Sequence, residues 1–152
     1  MKASDNKGFT LIEVIAVLII LGILAAVAAS RVGSNSNDLI PQADIVKSHL
    51  RFAQLKALAD ESTSSSTWGI AFTGGTFYTL QNNGGTATTS TLPGASDGTI
   101  HRFPSGVTVD STTITFDSWG SPLVGGPQSV ILSQGGASIT INIADITGYI
   151  TP

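Results

Sequence analysis

The chain has 152 residues, enough for one domain with an appendage and a single modest core. Charged residues make up only 11%, against roughly 25% in an ordinary soluble protein, and the apolar fraction is 41%. The absence of cysteine excludes disulfide frameworks, thiolate zinc sites and cysteine nucleophiles, while leaving the compartment open. Beyond Lys56 the one base is Arg102, set against Asp60, Glu61, Asp97, Asp110, Asp117 and Asp145. That balance repels phosphate, so no nucleic-acid partner is expected.

The first element is an apolar run. Residues 11–29 hold one charge, Glu13, and as a helix would be roughly 28 Å long, close to the hydrocarbon thickness of a bilayer. Lys2 and Lys7 precede it and, by the positive-inside tendency, keep the N-terminus cytoplasmic. One reading is a secretory signal peptide with Ala26-Val27-Ala28 as its cleavage site, but the run exceeds the usual 7–15 residues. A plain anchor explains the length but not Glu13, since a carboxylate inside an apolar span is costly and needs a cationic partner.

A third reading supplies that partner. Lys7-Gly8-Phe9-Thr10-Leu11-Ile12-Glu13 resembles the type IV prepilin motif, a basic residue and Gly followed by Phe, a short apolar step and Glu. The resemblance implies cleavage after Gly8 by a prepilin peptidase, N-methylation at Phe9 and retention of the apolar run. It also implies that Glu13 pairs with the terminal amine of Phe9 in a neighbouring subunit. Many members of that family have a proline just past the run, where this chain has Ser30 and Arg31.

Further along, Gly33 to Asp38 is a breaker cluster, and Pro41 suits the first turn of a new helix capped by Asp38 or a neighbour. Residues 42–61 form the second helical stretch, with Val46, Leu50, Ala53 and Ala57 on one stripe, flanked by Ile45, Leu58 and Leu55. Lys47, Arg51 and Lys56 read as a solvated face.

Residues 62–67 are a polar linker. Short β runs follow at 68–72, 76–80, 107–109, 113–116, 129–132, 138–143 and near Tyr149, separated by glycine-rich turns. Residues 86–91, with almost no apolar content, read as a mobile surface loop. The strands need an apolar cover, and the Val46–Ala57 stripe is the amphipathic helix available, which predicts a sheet wrapped on that helix.

The expected fold is therefore α+β: a long N-terminal α-helix, half membrane or filament segment and half amphipathic, packed on an antiparallel β-sheet head. The expected divisions are a leader at 1–8, a transmembrane or filament-core helix at 9–30, a linker and amphipathic helix at 31–61, and a β-rich head at 62–152. The stretch from Thr113 to Pro122 and the later Ile146-Thr147-Gly148-Tyr149-Ile150 resemble the end of minor pilins and pseudopilins of the secretion-type H class. Those chains often place a basic residue after Thr-Gly, which some relatives use to bind DNA; here it is Tyr149.

Signs of catalysis are few. His49 sits on the second helix and reads as interfacial or solvent-facing, and His101 lies beside Arg102 without zinc-ligand spacing. No Gly-x-Ser-x-Gly elbow occurs, and no enzymatic activity is expected. Some pseudopilins bind calcium in a head loop; Asp97, Asp110 and Asp117 offer oxygens, but no Asp-x-Asp-x-Asp-Gly run is present, so they read as turn acids and no cofactor is expected. Trp68 and Trp119 read as core or interface aromatics rather than sugar platforms.

The resemblance implies a structural subunit, minor rather than major, of a bacterial type IV pilus or type II secretion pseudopilus. Its implied partners are other pilin or pseudopilin subunits, the prepilin peptidase, an inner-membrane assembly platform, and the membrane itself before assembly. The implied location is the inner membrane as a single-pass protein with a periplasmic head, then the filament. The alternative is a secreted soluble β-domain binding protein behind a cleaved signal peptide.

Overall fold

The computed structural model describes residues 10–32, 38–60, 66–95 and 97–151. Gly8 and Phe9, the breaker residues at 33–37 and most of the polar linker lie outside them. The chain divides into two compact units between Ser34 and Asn35.

In the first unit, helix α1 (Leu11–Val32) carries only helix-compatible residues apart from the single Gly22. Its side chains from Leu11 to Ala28 are all exposed. In an aqueous monomer such a surface has no cover, and by length and composition this helix is able to cross a bilayer.

The second unit begins with α2 (Leu39–Ala59), three residues earlier than the periodicity predicts. Pro41 occupies the first turn, where its missing N–H costs no intrahelical bond. Asp38 is the N-cap residue but makes no side-chain capping bond. Leu39, Ala43, Val46, Leu50, Ala53 and Ala57 recur at alternating steps of three and four and are buried. Of the expected flanking residues, Ile45 is half-buried, whereas Leu55 and Leu58 are exposed.

Among the described residues nine strands follow: β1 (Trp68–Thr73), β2 (Phe77–Asn82), β3 (Gly85–Thr86), β4 (Ile100–Arg102), β5 (Thr108–Val109), β6 (Ser111–Phe116), β7 (Gln128–Gln134), β8 (Ala137–Ile143) and β9 (Ile150–Thr151). They form two antiparallel sheets rather than one. The first runs β3-β2-β1-β6, with β4 also on β2; the second runs β5-β7-β8-β9. Register follows the apolar alternation: Ile70 lies opposite Leu80 and Ile114, and Val130 opposite Ile141. The β7–β8 hairpin turns through Gly135 and Gly136, both at positive φ (57° and 87°), as a two-residue type I′ turn requires.

Helix α2 packs against both sheets and joins them into one core containing Leu50, Ile70, Phe116, Leu132 and Ile141. Leu50 is fully buried, so Leu50→Ala would cost about 2–5 kcal/mol. The start of the stretch expected to be a mobile loop at 86–91 is tied down, while 88–91 is irregular and largely exposed. Thr86 pairs with Gln81 in β3, and Ala87 is buried with its N–H donating to the Leu80 carbonyl (3.0 Å).

Candidate functional site

The residues that bear on function lie in three places: the start of α1, a polar cluster inside the head, and the loop end of the head. Glu13 is the acidic residue in the first turn of α1, and its N–H donates to the Thr10 carbonyl (3.1 Å). A carboxylate there complements the helix dipole, and Thr10-x-x-Glu13 has the spacing of a capping box. It is followed by Val14, Val17, Leu18 and Leu21, all exposed. The expected cleavage position after Gly8 and the Phe9 amine lie outside the described residues.

His49 departs from the expectation for it: it is buried, not solvent-facing. Its Nε2 lies 2.8 Å from the Pro93 carbonyl, which only accepts, so Nε2 carries the proton. Nδ1 then accepts from the Tyr78 hydroxyl at 2.7 Å. His101 of β4 stacks on Tyr78 (centroids 4.9 Å apart, planes at 27°) and meets Gln42 Oε1 through Nε2 at 3.2 Å. Burial lowers the His49 pKa, partly opposed by the bond to Pro93; burial and then the proximity of His49 lower that of His101. Burial raises Tyr78. The cluster thus holds two neutral imidazoles and a protonated phenol, with no carboxylate among these partners. It joins α2 to β2, β4 and the loop carrying Pro93, which is a structural task rather than a nucleophile–base arrangement.

Sequence reasoning missed this cluster because an isolated His on a helix carries no local signal of its partner 29 residues away. The one available clue was spacing, since position 49 falls beside Leu50 and three residues after Val46, on the buried face.

The acids weighed for calcium are engaged elsewhere. Asp110 Oδ1 accepts from the Ile131 N–H, and Asp117 Oδ1 accepts from the N–H groups of Trp119 and Ser121, all at 2.9 Å. Asp97 faces Arg102 at 3.5 Å. Among the described residues, no group of three His, Cys, Asp or Glu side chains is placed to hold a metal. The bases on α2 are less free than expected: Lys47 pairs with Asp44 (2.6 Å), and Lys56 lies over the rings of Phe52 and Trp68.

The two tryptophans part company. Trp68 is buried and donates Nε1–H to Asp60 (2.7 Å), whereas Trp119 is 84% exposed at the loop end. There the 117–122 and 144–149 loops are bound together, with Gln54 Nε2 donating to the Gly120 (2.8 Å) and Thr147 (3.1 Å) carbonyls.

Residues 3–29 match the family model of the prokaryotic N-terminal methylation motif. Among curated proteins, none matches the sequence. Two crystal forms of the type IV minor pilin FimU from Pseudomonas aeruginosa are similar in fold. One has a TM-score of 0.54 at 15% identity, with 78% of this chain and 90% of that chain covered. The other has 0.51 at 15% identity, covering 74% and 90%. The chain thus carries the type IV prepilin motif at its N-terminus and, in its head, the α+β fold of a type IV minor pilin.

Proposed function

We propose that this chain is a minor structural subunit of a bacterial type IV pilus or type II secretion pseudopilus, made as a prepilin and matured by a prepilin peptidase. The observation that carries this reading is a lone carboxylate, Glu13, in the first turn of an exposed apolar helix, five residues after Gly8 of the basic-Gly-Phe junction Lys7-Gly8-Phe9. Cleavage after Gly8 frees the Phe9 amine, which is then methylated. Before assembly α1 anchors the subunit in the inner membrane, where the assembly platform receives it, with the head in the periplasm. During assembly the apolar helices bury one another, and Glu13 loses its access to water.

Once that happens the charge requires a cation, and the Phe9 amine of an adjoining subunit is one that every correctly placed neighbour brings. An unpaired acid in the apolar core opposes other registers, so the pair sets the stagger between subunits. The subunit works as a building block with no cofactor and no catalytic step. Mass spectrometry of the mature N-terminus tests the reading: a methylated Phe9 is expected, whereas a chain starting near Ala29 or Ser30 identifies a signal peptide and a secreted β domain instead.

A further inference from the structure

His49 and His101 are the chain's two histidines, and the fold brings them together around Tyr78 with their ring centroids 5.4 Å apart. In the neutral cluster every hydrogen has a place. His49 Nε2–H goes to the Pro93 carbonyl, the Tyr78 O–H to His49 Nδ1, and His101 Nε2–H to Gln42 Oε1. A further proton on His49 has none. It turns Nδ1 into a donor aimed at the Tyr78 hydroxyl, whose own hydrogen then finds no acceptor among the described residues. A proton on the half-buried His101 puts a charge beside the His49 ring and opposes the next one.

No carboxylate stands ready to neutralise that charge. On α2, Asp44 pairs with Lys47 (2.6 Å), Arg51 meets the Ile150 carbonyl and Lys56 lies over Phe52 and Trp68. Arg102, next to His101 on β4, lies over the Phe77 ring and faces Asp97 (3.5 Å). From β2 comes Tyr78, whose ring meets Phe72 of β1 at 5.1 Å. Among the described residues no acid, Asp38 at the start of α2 included, lies within salt-bridge distance of either imidazole.

The cluster also fastens one edge of the head. Strand β4 pairs with β2 alone, and the Leu80 N–H to Thr99 carbonyl and Phe103 N–H to Thr76 carbonyl bonds (both 2.8 Å) continue that edge. The bonds of His49 to Pro93 and of His101 to Gln42 attach the same segment to α2. Other bonds knit the segment to itself, from the Leu92 N–H to the Gly98 carbonyl (2.9 Å) and from the Ile100 N–H to the Asp97 carbonyl (3.1 Å). Helix α2 meanwhile packs on β1, β6, β7, β8 and β9, none of which belongs to the segment.

We propose that the His49–Tyr78–His101 cluster is an acid-released latch, so that in acid the edge segment from Leu92 to Phe103 opens away from α2 and β2 while the rest of the head stays folded. The open form brings Leu92 and Phe103, both buried when the latch is closed, into contact with solvent. This concerns the head alone and stands or falls separately from the filament reading. The sign follows from burial. Both imidazoles resist protonation in the closed head and regain the ordinary value of 6.5 once open, so the closed form is fully favoured above that pH and loses ground below it. Each proton taken up on opening shifts the equilibrium by up to about tenfold per pH unit.

Hydrogen exchange of the full chain in detergent micelles tests this, with the protection of each amide taken relative to an unstructured peptide at the same pH. Between about pH 7.5 and 5.5 the protection of the Leu80 and Phe103 N–H groups, whose bonds join the segment to the remainder, should fall roughly tenfold or more. Protection in β7 and β8 should stay level. In His49→Gln/His101→Phe, the glutamine keeps a donor for Pro93 and an acceptor for Tyr78, and the phenylalanine keeps a ring on Tyr78. Nothing is left in that cluster to take up a proton, so the response should vanish. His101→Phe alone should lose about half of it on a logarithmic scale. A flat profile in the parent overturns the proposal, as does an equal fall in β7 and β8, which identifies opening of the whole head. A fall that persists in the double variant comes from carboxylates and overturns it too. Should the double variant not fold, His101→Phe decides, and an undiminished response there refutes the latch.

Discussion

Replacing His49 by Leu removes an imidazole whose two nitrogens are both engaged in the head, while roughly preserving volume. The Tyr78 hydroxyl and the Pro93 carbonyl each lose their bond to it. The Tyr78 hydroxyl is fully buried and left unpaired at about 1–3 kcal/mol, whereas Pro93 is exposed and its carbonyl can turn to water, so His49→Leu should destabilise the head by roughly 1–3 kcal/mol. For a domain of this size that is a fall of roughly 4–12 °C in Tm. Tyr78→Phe alone leaves His49 Nδ1 without its donor and should cost about 1–2 kcal/mol. The two losses share one bond, so they should not add: His49→Leu/Tyr78→Phe strands only the Pro93 carbonyl and should lie well short of the summed single effects. Urea and thermal unfolding of the second unit, followed by circular dichroism, measures all four corners of the cycle. A loss below about 0.5 kcal/mol for His49→Leu, the size of an ordinary surface change, would refute the reasoning. So would strict additivity in the double variant.

The same cluster makes head stability depend on pH. The folded-state pKa values of His49 and His101 are lowered, so above the ordinary value of 6.5 neither state carries the extra proton and stability is level. Below 6.5 the unfolded chain takes up protons that the folded one resists, and stability should fall as the pH drops; denaturant midpoints measured from pH 7.5 to 5 check this, and a flat profile contradicts the buried placement. Glu13→Ala should be inserted and processed normally yet be depleted from filaments, because the neighbouring amine is then buried without its partner; Glu13→Gln should be intermediate. Quantifying the subunit in sheared filaments decides it, and incorporation equal to wild type by Glu13→Ala as the sole copy would remove the registry role.

Much of this protein was readable from local pattern. The apolar run with its single acid needs nothing but its own composition to declare a membrane-length helix, and the family model for the methylation motif falls on the same stretch. The strands at 113–116, 129–132 and 138–143 were legible as short β runs between glycine-rich turns, and the structure extends each by one to three residues. The stripe Val46, Leu50, Ala53 and Ala57 was visible because burial on a helix repeats with its turn.

What escaped were features that depend on a distant partner. Ile100-His101-Arg102 has no alternation and becomes a strand only because β2 offers it an edge, with Tyr78 opposite His101. Gly85-Thr86 is a strand for the same reason. The split into two sheets follows from how α2 is shared between them, which no window of sequence contains. His49 is inside because Tyr78 and the Pro93 carbonyl, 29 and 44 residues away, satisfy its two nitrogens. Leu55, Leu58 and Trp119 are outside although their composition suggests a core, since the face they share is left uncovered by the head's own elements. Periodicity records which side of an element is apolar; only the tertiary structure decides whether that side meets the same chain or is left for another.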